Sequence, residues 1–104
     1  MSDAEMTYIR DAANHPVGAV AIKRVEGGKI RLAVSKCHPM DRFDKKVARN
    51  RALGRINSDR YAKEFSVNSE EITDFLSSYH LTYEQVDSAA KFIAIHSTPK
   101  QATA

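Results

Sequence analysis

Two runs of β-forming residues separated by a glycine pair constrain the fold of this chain more than any other feature. They cover residues 17–25 and 30–37, and residues 26–29 between them read Glu-Gly-Gly-Lys. Glycine adopts the positive φ angles that tight hairpin turns need, so the pattern predicts a β-hairpin. A short run at residues 6–10 is also rich in β-formers and predicts a strand before it.

The length of the turn decides which hairpin residues pair. A two-residue Gly-Gly turn would pair Val25 with Ile30 and mix apolar and charged residues on both faces. A three-residue turn with Gly28 in the left-handed conformation pairs Ile22 with Leu32 instead, and we favour it because it separates the faces. The apolar face then holds Val20, Ile22, Ile30, Leu32 and Val34, and the other holds Ala19, Ala21, Lys23, Arg31, Ala33 and Ser35.

Residues 41–56 predict a basic helix directly after the hairpin, with Asp41 placed to cap it and Asp44 also favourable at its positive end. We expect this helix to cover the apolar face of the strands, with Gly54 allowing close backbone approach. The expected contact line is Phe43, Val47 and Gly54, widened by Ala48, Ala52, Leu53 and Ile56. Asn50 falls on the same side as this line, and Arg42, Lys45, Lys46 and Arg49 fall on the opposite side.

The last third predicts two antiparallel helices within residues 68–95. Asn68 with Glu71 and Thr82 with Gln85 each have capping-box spacing, and an apolar staple pair brackets each box. The predicted core stripes are Ile72, Phe75, Leu76 and Tyr79 on one helix and Val86, Ala89, Ala90 and Ile93 on the other. Residues 96–104 have little apolar content, and we expect a disordered tail.

Together these elements predict one α+β domain over residues 1–104. Its parts are a three-stranded antiparallel meander (6–37), a covering basic helix (41–56) and an antiparallel helix pair (68–95). The chain has no apolar run of about 18 residues, and its first residues are acidic rather than apolar. We therefore expect a cytoplasmic protein without membrane contact.

Charge is unevenly distributed along the chain. Residues 1–40 hold six Lys/Arg against four Asp/Glu, residues 41–63 eight against three, and residues 64–104 two against six. The net charges are thus +2, +5 and −4. A basic centre favours a polyanion or an acidic protein surface as partner. The alternative is a solvated basic face that pairs with the acidic third.

Catalytic and metal-binding patterns are absent from the sequence. Cys37 and His38 are neighbours, but adjacent strand residues point to opposite faces and seldom form a dyad. The four histidines lack metal-ligand spacing, and one cysteine cannot build a structural zinc site. We expect no enzyme activity, no metal and no cofactor.

The stretch KCHPMDRFDKKVARNRALGRI follows the hairpin and resembles a loose group of small phage and mobile-element accessory proteins. In that group a strand ends in Cys-x-Pro-x-Asp-x-Phe and leads into a basic helix. The resemblance covers residues 16–56, and the matching positions are Cys37, Pro39, Asp41, Phe43, Lys46, Ala52, Leu53, Gly54 and Arg55. It implies a viral accessory origin, with host modulation or counter-defence in the host cell, and transfers no catalytic residue.

Two binding functions follow from these observations. The first is a non-catalytic accessory protein that binds and modulates a host protein with an acidic or nucleic-acid-contacting surface. The alternative is non-specific binding to the DNA or RNA backbone, although no aromatic platform lies between the basic residues in the sequence. Both use the same predicted binding residues, which are Arg42, Lys45, Lys46, Arg49, Arg51 and Arg55.

Overall fold

The computed structural model describes residues 4–36, 42, 44–66, 69–79 and 81–97. These residues form an α+β fold with four antiparallel strands in one sheet and three helices. The elements in chain order are β1 (Glu5–Arg10), β2 (Pro16–Val25), β3 (Lys29–Lys36), α1 (Lys45–Arg55), β4 (Lys63–Ser66), α2 (Glu71–Ser77) and α3 (Tyr83–Ser97).

The sheet has the order β1-β2-β3-β4, so the predicted meander of three strands gains a fourth. The added strand β4 reads Lys-Glu-Phe-Ser and pairs with residues 29–32 of β3. Only Phe65 in it is apolar, and it lies opposite Ile30 and packs against the core. A short edge strand with one partly buried side chain has almost no alternating pattern, which is why the sequence did not predict it.

The hairpin has the predicted three-residue turn. Val25 pairs with Lys29 and Ile22 pairs with Leu32, which is the register that separates the two faces. Gly27 and Gly28 have φ angles of 81° and 71°, in the region that glycine adopts without steric cost. Turn length therefore places the large aliphatic residues on one face and the alanines on the other.

Helices cover both faces of this sheet, and the prediction that the basic helix covers the apolar face is wrong. The apolar face, which also carries Ile9 of β1, packs against α2 and α3 rather than against α1. The helix residues buried there are Ile72, Phe75, Leu76, Ala89 and Ile93, as the predicted stripes required. The basic helix α1 packs against the opposite face, on Ala19, Ala21 and Ala33.

The side of α1 that contacts the sheet also differs from the expected one. Ala48, Ala52 and Ile56 are buried at four-residue spacing, whereas Val47 is 44% exposed and Gly54 is exposed. A Cβ added at Gly54 would meet nothing within 4 Å, so no close approach occurs there. Small helix residues face the small residues of the sheet, which lets two close-packed backbones come together.

Asp44, not Asp41, is the cap of α1 among the described residues. Its side chain accepts hydrogen bonds from the backbone nitrogens of Lys46 (2.9 Å) and Val47 (3.2 Å). These bonds satisfy two of the free N–H groups that every helix start leaves. The helix therefore begins at Lys45, and Asp41 and Phe43 lie outside the described residues.

The start of α3 has the predicted capping box. The Gln85 side chain accepts from the Thr82 backbone nitrogen (2.9 Å), and the Gln85 nitrogen donates to the Thr82 hydroxyl (3.3 Å). The box at Asn68 lies outside the described residues. There α2 begins at Glu71, whose backbone nitrogen donates to the Ser69 hydroxyl.

The tail prediction is wrong at its first two residues, because α3 continues through Ser97. The carbonyl of His96 accepts a hydrogen bond from Arg24 Nε (3.1 Å), and its ring nitrogen contacts the Glu5 carboxylate. These contacts with the sheet extend the helix beyond its last predicted apolar residue. Residues 98–104 lie outside the described part.

The stability of a Leu32→Ala variant tests whether Leu32 belongs to the hydrophobic core. Its side chain is fully buried, so Leu32→Ala should lower the free energy of unfolding by about 2–5 kcal/mol through lost burial and a cavity. Val47→Ala, on the exposed side of α1, should change it by less than about 0.5 kcal/mol. Urea denaturation measures both, and equal midpoints for the two variants would contradict this core.

Substitution of two glycines by alanine should change the stability of the fold in opposite directions. A Cβ at Gly18 would lie 2.5 Å from the Ser35 carbonyl oxygen, so Gly18→Ala should destabilise by about 1–3 kcal/mol. Gly54→Ala adds a better helix former in open space and should stabilise by up to about 1 kcal/mol. Thermal melts of both proteins check the signs, and a stabilising Gly18→Ala would refute the close strand approach.

Candidate anion-binding surface

The helix α1 carries five basic residues and no acidic residue. Of the six predicted binding residues, only Arg55 is partly buried; Arg42, Lys45, Lys46, Arg49 and Arg51 are exposed. None of these exposed five forms an ion pair with another described residue. We define these five residues as the basic surface. With respect to the described residues, its charges are available to a ligand without first breaking a salt bridge.

The start of the basic surface is fixed to the sheet through Tyr8 of β1. The Tyr8 hydroxyl donates to the Lys45 carbonyl oxygen (3.4 Å), and Lys45 Nζ lies 5.4 Å from the centre of the Tyr8 ring. An ammonium at that distance from an aromatic face is attracted to the ring. Tertiary structure thus places an aromatic side chain beside a basic one, which the sequence order did not show.

Tyr61 is the second aromatic residue among the basic ones. It is 39% exposed, and the guanidinium carbons of Arg55 and Arg60 lie 4.6 and 5.6 Å from the centre of its ring. Arginine and tyrosine in this arrangement form contacts that nucleic-acid-binding surfaces also use. The only sequence signal for this cluster was the Arg60-Tyr61 pair itself.

Arg55 stabilises the fold as well as contributing charge. Its Nη1 donates to the Val34 carbonyl oxygen (2.9 Å), on the stretch of β3 beyond the residues that pair with β4. The guanidinium therefore occupies a backbone acceptor at the sheet edge. Burial raises the pKa of the Tyr79 hydroxyl, and the charge of Arg55 partly offsets this rise.

Arg31 is a partly buried cation for which the sequence predicted only a place on one sheet face. Its side chain is 14% exposed and donates to the Ile56 carbonyl oxygen, to Asp59 (2.9 Å) and to Glu64 (3.2 Å). These bonds join the end of α1, the following loop and β4 to β3. The carboxylates of Asp59 and Glu64, which follow α1 in the chain, are therefore already paired with Arg31.

A group of five acidic residues lies across the sheet from the basic surface, whereas Asp44 lies at the start of α1 itself. Residues 69–97 carry five acidic side chains, Glu70, Glu71, Asp74, Glu84 and Asp87, against one lysine, Lys91. Since α1 covers one face and α2 with α3 cover the other, the two charge groups do not meet within the part of one molecule that the structure describes. This arrangement disfavours the alternative in which the basic helix pairs with the acidic third.

Other kinds of site find little support in the described part of the chain. No three His, Cys, Asp or Glu side chains are grouped there as metal ligands would be. None of its helices has the length and apolar character needed to span a bilayer. Cys37 and His38 lie outside the described residues, so the prediction that they form no dyad stays a prediction.

Comparisons with family models, with curated proteins and with solved structures find no match to this chain. The resemblance of residues 16–56 to phage accessory proteins therefore stays an expectation from sequence.

Matched substitutions of Arg55 and Arg51 test which of the two arginines contributes to the stability of the fold. Arg55→Met leaves the Val34 carbonyl without its donor and should cost about 1–3 kcal/mol of unfolding free energy. Arg51→Met, at an exposed position with no such bond to another described residue, should cost less than about 0.5 kcal/mol. Chemical denaturation followed by circular dichroism compares them, and equal stabilities would remove the structural role of Arg55.

Proposed function

We propose that this chain is a small non-catalytic protein that binds a polyanion through the basic surface of α1. The observation that carries the proposal is the set of exposed cations, none in an ion pair with another described residue, on a helix whose other side is buried on the sheet. Burial of Ala48 and Ala52 fixes the direction in which those cations point. Like charges held on a helix of fixed orientation are suited to electrostatic attraction of an anionic surface.

The nucleic-acid backbone is the ligand that this surface fits best. An 11-residue helix is roughly 16 Å long, which matches the spacing of about five phosphates along one strand. Tyr8 and Tyr61 add aromatic rings beside Lys45 and Arg55. Such contacts position a backbone without reading its sequence, so we expect binding to random DNA or RNA.

A host protein with an acidic surface is the second candidate, and Val47 favours it. This apolar side chain is 44% exposed between the charged residues of α1. Protein interfaces typically place apolar side chains at their centre and charges around them. With the resemblance of residues 16–56, this candidate gives the chain a role in modulating a host protein in the host cytoplasm.

A charge reversal on α1 tests the proposal. Lys46→Glu/Arg49→Glu changes two exposed residues and leaves the contact of Lys45 with Tyr8 intact. Affinity for random-sequence DNA or RNA should fall by roughly tenfold or more, and the slope of log affinity against log salt should decrease by about two charges. Fluorescence anisotropy over a salt series measures both quantities.

The control is Lys29→Glu/Lys63→Glu, which makes the same charge change at exposed positions outside α1. It should lose much less affinity, and both double variants should melt like the wild type. A folded Lys46→Glu/Arg49→Glu protein with wild-type affinity would contradict the basic surface as the contact. If the wild type binds no nucleic acid, capture from a host lysate with the same two variants tests the acidic-protein candidate.

A further inference from the structure

The outer side of the helix pair contains a groove that no other described element covers. Two hollows of about 450 and 250 Å³ lie between α2 and α3, and both contact Thr73 and Ala90, so they form one groove. Leu81 and Val86 line it, and the Tyr83 side chain at its edge is 82% exposed. An exposed aromatic beside an apolar groove is typical of a docking site.

The charge of this groove is negative. Glu70 and Asp87 line it, and exposed Asp74 neighbours Thr73 on α2. Only Lys91 offsets them, through its ion pair with Asp87 (3.1 Å). The groove therefore selects a segment that combines small or apolar residues with positive charge.

The outward side of α1 has this composition. Val47, Asn50 and Gly54 follow one another at helical spacing and are all exposed, with Lys46 and Arg51 beside them. Gly54 has no side chain and open space above it, so another surface can approach the backbone closely. The side of α1 whose periodicity is typical of a docking face thus lacks an intramolecular partner among the described residues.

We propose that the α2–α3 groove binds the outward side of α1 from a second copy of this chain. Charge complementarity commits the groove to this occupant, because α1 has five basic and no acidic residues while residues 69–97 carry a net charge of −4. The two surfaces lie on opposite faces of one sheet, so a molecule cannot satisfy its own groove. The contact is head-to-tail and leaves one free surface at each end of a dimer.

This association uses part of the basic surface, and it therefore competes with polyanion binding. The proposed self-association rests on the groove and on the outward side of α1, so it does not depend on which polyanion the protein binds. At low salt the molecules should associate with one another, and added polyanion should separate them by occupying α1.

Sedimentation of the full chain tests the inference. At about 50 mM salt the average mass should rise with protein concentration above the monomer mass of 11.6 kDa, and at about 500 mM salt it should return toward it. Two neutralising variants identify the surfaces: Glu70→Gln/Asp87→Asn at residues that line the groove, and Lys46→Gln/Arg51→Gln beside the outward side of α1. The average mass of each variant alone should stay at the monomer value as protein concentration rises. The Glu26→Gln variant, changed in the exposed hairpin turn, should still show the rise in average mass.

A mixture of the two variants tests directly whether the groove of one molecule binds α1 of another. The groove variant retains an intact α1 and the α1 variant retains an intact groove, so an equimolar mixture should form a one-to-one dimer that does not grow further. A wild type that stays monomeric at low salt, a groove variant that associates normally, or a mixture that stays monomeric would each overturn the inference.

Measured affinity for nucleic acid distinguishes a failure of the head-to-tail contact from a failure of polyanion binding. The groove variant should bind random DNA at least as well as the wild type, because its substitutions lie across the sheet from the basic surface. Retained DNA binding in a wild type that never self-associates would overturn the head-to-tail contact and leave polyanion binding standing.

Discussion

The pairing of β2 with β3 through a three-residue turn sorts the side chains of the sheet by size. One face receives Val20, Ile22, Leu32 and their neighbours, and the other receives Ala19, Ala21 and Ala33. A one-residue shift in register would exchange the two sets. The large-residue face requires the broad apolar cover of two helices, and the alanine face accepts a single helix through its own small residues. The position of every helix follows from this sorting.

Sorting by size also separates charge. The helix that matches the alanine face is the basic one, and the helices that match the aliphatic face are acidic. A four-stranded sheet between them keeps the two groups from neutralising each other. The exposed cations of α1 and the acidic groove between α2 and α3 are therefore both left for contacts outside the molecule. Polyanion binding and head-to-tail association are two proposed uses of this single arrangement.

Some basic residues stabilise the fold and others remain exposed for a ligand, and their position relative to the sheet edge decides which. Arg31 and Arg55 reach backbone carbonyls at the end of α1 and on β3, where a donor removes the cost of an unpaired buried acceptor. Lys46, Arg49 and Arg51 point away from these acceptors and remain solvated. The same residue types within one helix thus have different roles because their directions differ by fractions of a turn.

The sequence by itself determined the hairpin and its register, the capping box at Thr82 and the core stripes of the last two helices. These depend on local rules: glycine at the turn, period-two alternation, and side chains three or four residues apart. It also placed the excess of positive charge. Only the tertiary structure decided which face each helix covers, the addition of β4, the roles of Arg31 and Arg55, and the outward direction of Val47. Those features depend on partners distant in sequence, because an amphipathic pattern identifies a buried side only when the surface it packs against is known. Here the small side chains of that surface selected Ala48 and Ala52 over the larger Val47.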